Sequence, residues 1–185
     1  MFCVNCGIEI EEKYNFCPKC GTEKVNHGAE KKRNIASNEK AMELGKKGFN
    51  LFIAEEYEEA LDCLNKSLEI SEADDTVTSA TLCFKSQVLE QLGKNEEGID
   101  CISRALELDQ DSTKWRIKAS MLFALGDKIS GSAPLAVCST LKYDQAKHRF
   151  EEALDCCNRA LKTDPNNESV LELKNRVVKI LRGEE

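Results

Sequence analysis

Tyr57-Glu58-Glu59-Ala60-Leu61-Asp62-Cys63-Leu64-Asn65-Lys66-Ser67-Leu68 decides the reading of most of this chain, because it returns twice. The second copy is Asn95-Glu96-Glu97-Gly98-Ile99-Asp100-Cys101-Ile102-Ser103-Arg104-Ala105-Leu106, and the third is Phe150-Glu151-Glu152-Ala153-Leu154-Asp155-Cys156-Cys157-Asn158-Arg159-Ala160-Leu161. Apolar residues three and four apart put one face of each copy into a core, as an amphipathic helix requires. Small residues stand at the fourth and eleventh places (Ala60 and Ser67, Gly98 and Ala105, Ala153 and Ala160), so a second helix can approach closely. One helix written three times is the mark of a repeat array.

Ahead of each copy lies another amphipathic stretch, at residues 41–54, 79–92 and 112–125. Leu92-Gly93 and Leu125-Gly126 put glycine where two of these stretches should end. The unit is therefore a helical hairpin of about 34 residues. It resembles the tetratricopeptide repeat: Gly48, Leu51, Tyr57 and Ala60 match its pattern in the first copy, and Trp115, Ala119, Leu122, Gly126, Phe150, Ala153, Ala160 and Pro165 match it in the third. The second copy is more degenerate, with Ser86, Leu89, Gly93, Gly98 and Ala105, and with Gln110 in place of the proline. The resemblance implies an all-α solenoid over residues 41–183, with hairpins at about 41–74, 79–112 and 112–167. Residues 168–183, with Val170, Leu173, Val177 and Leu181 at helical spacing, are expected to cap it.

The third unit carries an insert at residues 128–149. Tyr143, Ala146 and Phe150 keep helical spacing, so part of the insert should extend the second helix backwards. The rest reads as a loop near residues 128–141, uncharged from Ile129 to Thr140 and long enough to be either a flexible insertion or a contributor to partner binding.

The first two dozen residues have a different chemistry. Cys3 and Cys6 form one CxxC pair, Cys17 and Cys20 a second, and a glycine follows each. Each pair presents two thiolates to one side of a metal ion, and two pairs close a tetrahedron. Four protein ligands leave no position for water or substrate, so the metal, expected to be one Zn²⁺, is structural; iron on the same ligands is the lesser alternative. Gly7 through Glu12 alternates as a short strand, and Tyr14 and Phe16 are apolar enough to cover the metal. So small a segment cannot bury a core, and metal binding should supply most of its folding free energy, on the order of 10 kcal/mol. Phe2-Cys3-x-x-Cys6-Gly7 with Phe16-Cys17-Pro18-Lys19-Cys20-Gly21 resembles the short zinc-ribbon domain, over residues 1–24. Residues 25–40 read as a flexible or partly helical tether.

Composition limits the remaining possibilities. Uncharged runs are too short to cross a bilayer, and the N-terminus lacks a signal-peptide pattern, so a cytoplasmic protein with reduced thiols is expected. Residues 41–185 carry 19 Lys and Arg against 27 Asp and Glu, an acidic surface that repels phosphate backbones and favours basic partners. No GxxxxGK[ST], HExxH or GxSxG motif occurs, and the histidines are His27 and His148, so no catalytic constellation is legible. Cys63, Cys101 and Cys156 share one repeat position about a hairpin's width apart and are read as small packing residues.

In the resembled family the first helices line the face that holds peptides or partner helices. Carried over by position, that face would present Gly45, Phe49, Phe52 and Ile53 from the first unit. The second would give Cys83, Gln87, Glu90 and Gln91, and the third Arg116 and Ser120. Gly45, Phe49 and Phe84 stand where repeats that clamp a chaperone's C-terminal carboxylate use lysine and asparagine, which speaks against that ligand. The expectation is a non-enzymatic adaptor or scaffold that binds a protein or peptide. The alternative is a regulator whose ribbon touches RNA or DNA, an idea weakened by three lysines against four glutamates in residues 1–24.

Overall fold

The computed structural model describes residues 2, 3, 5–11, 13–22, 27–71, 74–131 and 140–184, leaving aside the side chains of 27–35 and 140. It contains seven helices among those residues: α1 (His27–Ile53), α2 (Tyr57–Ile70), α3 (Asp75–Gln91), α4 (Asn95–Leu108), α5 (Ser112–Ser130), α6 (Thr140–Thr163) and α7 (Glu168–Arg182). Two compact units divide at Ser37/Asn38, one of residues 1–37 and one of residues 38–185.

The three repeated segments are α2, α4 and the second half of α6, and their small positions lie where helices cross. Ala60, Ser67, Ala105 and Ala153 are wholly buried, and Ala160 nearly so. At Gly48 a methyl group would stand 2.7 Å from Leu64 Cγ. At Gly98 it would stand 3.0 Å from the Ser86 carbonyl oxygen. Close approach of backbones is thus what those positions secure. Polar residues inside the stack are satisfied: Ser67 donates to the Ala41 carbonyl at 2.7 Å, and Ser79 to that of Ala105 at 3.2 Å. Such bonds matter because a buried unpaired hydroxyl costs about 1–3 kcal/mol.

Helix starts follow local chemistry. The Asp74 carboxylate accepts from the Thr76 and Val77 amides, Asp111 from Thr113, and Asn167 from Val170, each cap contributing about 1 kcal/mol. α2 and α4 begin without a side-chain cap but carry Glu58, Glu59, Glu96 and Glu97 in their first turns, where the helix dipole favours negative charge. Gly93 takes a φ of +73° just after α3, the conformation expected of Leu92-Gly93. α7 packs Val170 and Val177 into the core formed by α5 and α6.

Several sequence expectations need correction. Gly126 does not end a helix. α5 runs on to Ser130 and closes at Gly131 with φ +69°, while Gly126 is buried beneath the Phe150 ring, 2.9 Å from where its Cβ would be. Residues 128–130 therefore belong to α5, α6 starts at Thr140, and residues 132–139 of the expected loop lie outside the described residues. The first stretch of the second hairpin, placed at residue 79 by the repeat period, begins as helix at Asp75 because Asp74 caps it. Of the two forms expected for the tether, flexible or partly helical, the helical one holds from His27, consistent with a run rich in Ala, Glu, Lys and Arg and free of proline.

In residues 1–37 the strand expected at 7–12 is reduced to a single antiparallel bridge between Phe2 and Glu9; Glu12 lies outside the described residues. Among the described residues the two cysteine turns take up Cys3–Gly7 and Cys17–Gly21 and leave only short segments to pair. Nor do Tyr14 and Phe16 provide the cover expected of them, being 43% and 57% exposed. Ile10 is buried instead, with Cys3 and Cys17.

Candidate metal centre and helix groove

The four cysteine sulfurs of the N-terminal unit all lie within 4.8 Å of one another. Cys3 Sγ is 3.5 Å from Cys20 Sγ, and Cys6 Sγ is 3.5 Å from Cys17 Sγ. A tetrahedral zinc with bonds of about 2.3 Å holds its sulfurs about 3.8 Å apart, whereas a disulfide needs about 2.05 Å. The cluster is sized for a metal ion.

Two turns of like geometry build it. The Gly7 amide donates to the Cys3 carbonyl and the Gly21 amide to that of Cys17, both at 2.9 Å, with φ +70° at each glycine. A side chain there would be strained by the backbone conformation alone. Backbone amides of Asn5 and Cys6 donate to the Cys3 sulfur and lower its pKa. The Thr22 hydroxyl, 3.1 Å from the Cys20 sulfur, and the Thr22 amide lower that thiol to about 6. At Cys6 the Ile8 amide acts in the same sense, but burial and the three neighbouring sulfurs outweigh it and push the thiol up to about 12. Four sulfurs so close cannot all carry unbalanced negative charge; a dication removes the repulsion and lets all four bind as thiolates.

A second feature lies within residues 38–185. Met42, Gly45, Lys46 and Phe49 of α1 face Asp74, Thr76, Val77, Ala80, Thr81 and Phe84 at and along α3, and enclose a groove of about 510 Å³. The rings of Phe49 and Phe84 pack at 4.9 Å with planes tilted by 43° and form one end of it. Its lining is mostly apolar, yet Met42 is 47% and Phe49 37% exposed.

The residues named from the sequence for partner contact are scattered relative to this groove. Phe49 lines it. Phe52 instead packs near Tyr57, at 6.0 Å, against the Ala60, Leu64 and Val88 core, and Ile53 is exposed at the end of α1. Cys83 and Gln87 are half-buried on α3, where Gln87 Nε2 donates to the Cys83 carbonyl at 3.4 Å. Burial raises the Cys83 thiol and the Glu90 carboxyl, the latter partly offset by Arg116. Gln91 is exposed at the end of α3, while Arg116 and Ser120 are half-buried on α5. Met42, Val77 and Ala80 were missed. Met42 shares the register of Gly45 and Phe49 on α1, and Val77 precedes the residue at which the repeat period placed the helix.

Four cysteines of the array are core groups. Cys63, Cys101, Cys156 and Cys157 are buried, and burial raises the thiols of Cys101, Cys156 (to about 12) and Cys157 (to about 11). The thiols of Cys101, Cys156 and Cys157 are therefore protonated and poor nucleophiles near neutral pH. Among the described residues no helix is long and apolar enough to cross a membrane.

Comparison with known proteins agrees with both modules. The family model of the zinc-ribbon domain matches residues 2–24, and a tetratricopeptide repeat model matches residues 79–112. No curated protein sequence matches the chain. Among solved structures, the first tetratricopeptide domain of Spaghetti (RPAP3), determined with the HSP90 peptide SRMEEVD bound, superposes with a TM-score of 0.61 at 19% identity. That match covers 78% of this chain and 95% of that one. The first such domain of human RPAP3 gives 0.61 at 18% identity, covering 78% and 94%. The Arabidopsis OM64 domain gives 0.60 at 14%, covering 77% and 98%. At these identities the likeness concerns the fold. The chain thus matches the zinc-ribbon domain over residues 2–24 and the tetratricopeptide repeat over residues 79–112, and its helical array has a fold like that of tetratricopeptide domains.

Proposed function

We propose that this protein is a non-enzymatic adaptor, cytoplasmic, whose helical array binds another protein or a peptide while a single structural Zn²⁺ holds the ribbon together. The observation that carries the reading is the apolar groove between α1 and α3, lined by Met42, Phe49, Val77, Ala80 and Phe84 and left open at the surface. An array built only for its own stability has no need to expose Met42 and Phe49 side by side. The peptide bound by the Spaghetti domain supports a protein or peptide as the partner class. The metal centre supports a structural role, since four thiolates complete zinc's coordination.

Capture of partners from a native lysate tests this. Three baits are compared, with and without nuclease: the full chain, a form beginning at Asn38, and a form with Cys17→Ser and Cys20→Ser. The same proteins on all three baits, surviving nuclease, are expected. Capture that vanishes with the ribbon or with nuclease sinks the adaptor reading and supports nucleic-acid contact through the ribbon.

A further inference from the structure

We infer that the α1/α3 groove receives an amphipathic helix of the partner, with an apolar face and basic flanks, in place of an extended chain-terminal peptide. This rests on the adaptor reading and specifies its ligand. Met42, Phe49 and Ile53 lie at i, i+7 and i+11 on α1 and so form one exposed apolar line about 16 Å long. Val77, Ala80 and Phe84, at i, i+3 and i+7, form the opposing line on α3. Two parallel ridges with a furrow between them are the surface into which a third helix packs.

Hydrogen bonding separates a helix from a strand here. The walls are helices whose interior amides and carbonyls are paired within themselves, and the side chains of Met42, Phe49, Val77, Ala80 and Phe84 offer no donor and no acceptor beyond the weak thioether of Met42. The Thr81 hydroxyl is buried at 3.3 Å from that of Ser67, the Asp74 carboxylate serves Thr76, Val77 and Asn38, and the nearby Gln87 amide donates to its own helix. An extended peptide laid in this furrow would meet only the Thr76 hydroxyl and the Lys46 ammonium among the polar side chains of the described lining not already accounted for, and would bury most of its backbone groups unpaired, at about 1–3 kcal/mol for each. A helix satisfies them internally.

Charge narrows the occupant further. Among the described residues, Lys46 and Asp74 are the ionic groups lining the groove, so these offer one cation, too few to hold an acidic tail. Glu39 and Glu43 on α1 and Asp75 at the start of α3 are exposed beside it, and residues 41–185 carry 19 basic and 27 acidic residues. Basic flanks on the incoming helix complement that surface. A methyl at Gly45 would meet Thr81 Oγ1 at 3.5 Å and Ser67 Oγ at 3.6 Å, ordinary contacts, so helix packing does not demand glycine there as it does at Gly48.

The test is a selection against the zinc-loaded full chain from two displayed peptide libraries, one of helix-templated sequences randomised on one face and one of unstructured 12-residue sequences. Binders are then measured by fluorescence polarisation against wild type, Met42→Arg and Ala80→Arg, which fill and charge the groove from exposed positions on its two walls. Circular dichroism and urea midpoints establish that both variants fold. The expected binders come from the helical library, carry apolar residues at i, i+3, i+4 and i+7 with Lys or Arg beside them, and bind each variant at least tenfold more weakly. Binders that come from the unstructured library and stay non-helical when bound overturn the helix inference while leaving the adaptor reading intact. Binders indifferent to both variants place the docking surface elsewhere. An absence of binders from either library counts against the adaptor reading itself.

Discussion

Two glycines three residues apart on α1 should respond oppositely to the same substitution. Replacing either Gly45 or Gly48 with alanine removes the same conformational entropy from the unfolded chain and gains up to about 1 kcal/mol of helix propensity. What differs is the space. At Gly48 the new methyl would stand 2.7 Å from Leu64 Cγ, 2.8 Å from its Cδ2 and 3.3 Å from the Ala60 carbonyl oxygen. Leu64 is wholly buried and Ala60 is backbone of the facing helix, so neither can yield cheaply. Overpacking of this kind costs about 1–3 kcal/mol, which leaves Gly48→Ala with a net loss of up to about 2 kcal/mol. At Gly45 the contacts are ordinary, and the propensity gain survives. The two variants should therefore differ by about 1–3 kcal/mol. With a urea m-value of about 2 kcal/mol/M, that places their midpoints roughly 0.5–1.5 M apart on either side of wild type. Helix content followed by circular dichroism during urea titration of the zinc-loaded full chain reads this directly. Equal shifts in one direction would refute the argument that the α1/α2 crossing, and not helix propensity, fixes glycine at residue 48.

Three further outcomes follow from the structure. Chelation should remove one equivalent of zinc and abolish ordered resonances of residues 2–22, while the circular dichroism of the array persists; loss of the array's helical signal on chelation would show that the two units do not fold independently. Asp74→Ala should destabilise the array by about 1–2 kcal/mol, since it deprives the Thr76 and Val77 amides and the Asn38 amide of their acceptor; an unchanged urea midpoint would contradict this. Burial raises the Cys156 and Cys157 thiols to about 12 and 11. Their contribution to stability is thus fully present below the ordinary thiol pKa near 9 and is lost as pH rises toward those values. Stability should fall between pH 9 and 11 more steeply in wild type than in a Cys156→Ala, Cys157→Ala double variant, and parallel pH profiles would count against the buried neutral thiols.

Much of this protein was fixed by local chemistry. Four cysteines in two CxxC-Gly turns point to a metal site from sequence alone, because the turn itself aims both sulfurs and the glycine allows φ +70°. The helix repeated at Tyr57, Asn95 and Phe150 announces stacked hairpins, since small residues at fixed places have no other purpose than close helix approach. Glycine at residue 93 ends α3 for the same kind of reason.

Glycine at residue 126 looked identical in sequence and had a different cause. It is small because the Phe150 ring lies over it, and only the distance between α5 and α6 reveals that. Lys114 is 8% exposed, which no periodicity suggests, because its ammonium reaches the Asp109 carboxylate at 2.6 Å. Ile10 was indistinguishable from Tyr14 and Phe16 as cover for the metal until the turns were folded. The groove belongs to the same class. Met42, Phe49, Val77, Ala80 and Phe84 lie on two helices whose relative register is set by packing through Ser67, Thr81 and Ala41. Sequence records which residues face the core of each helix; which exposed residues meet across two helices is decided only when the helices dock.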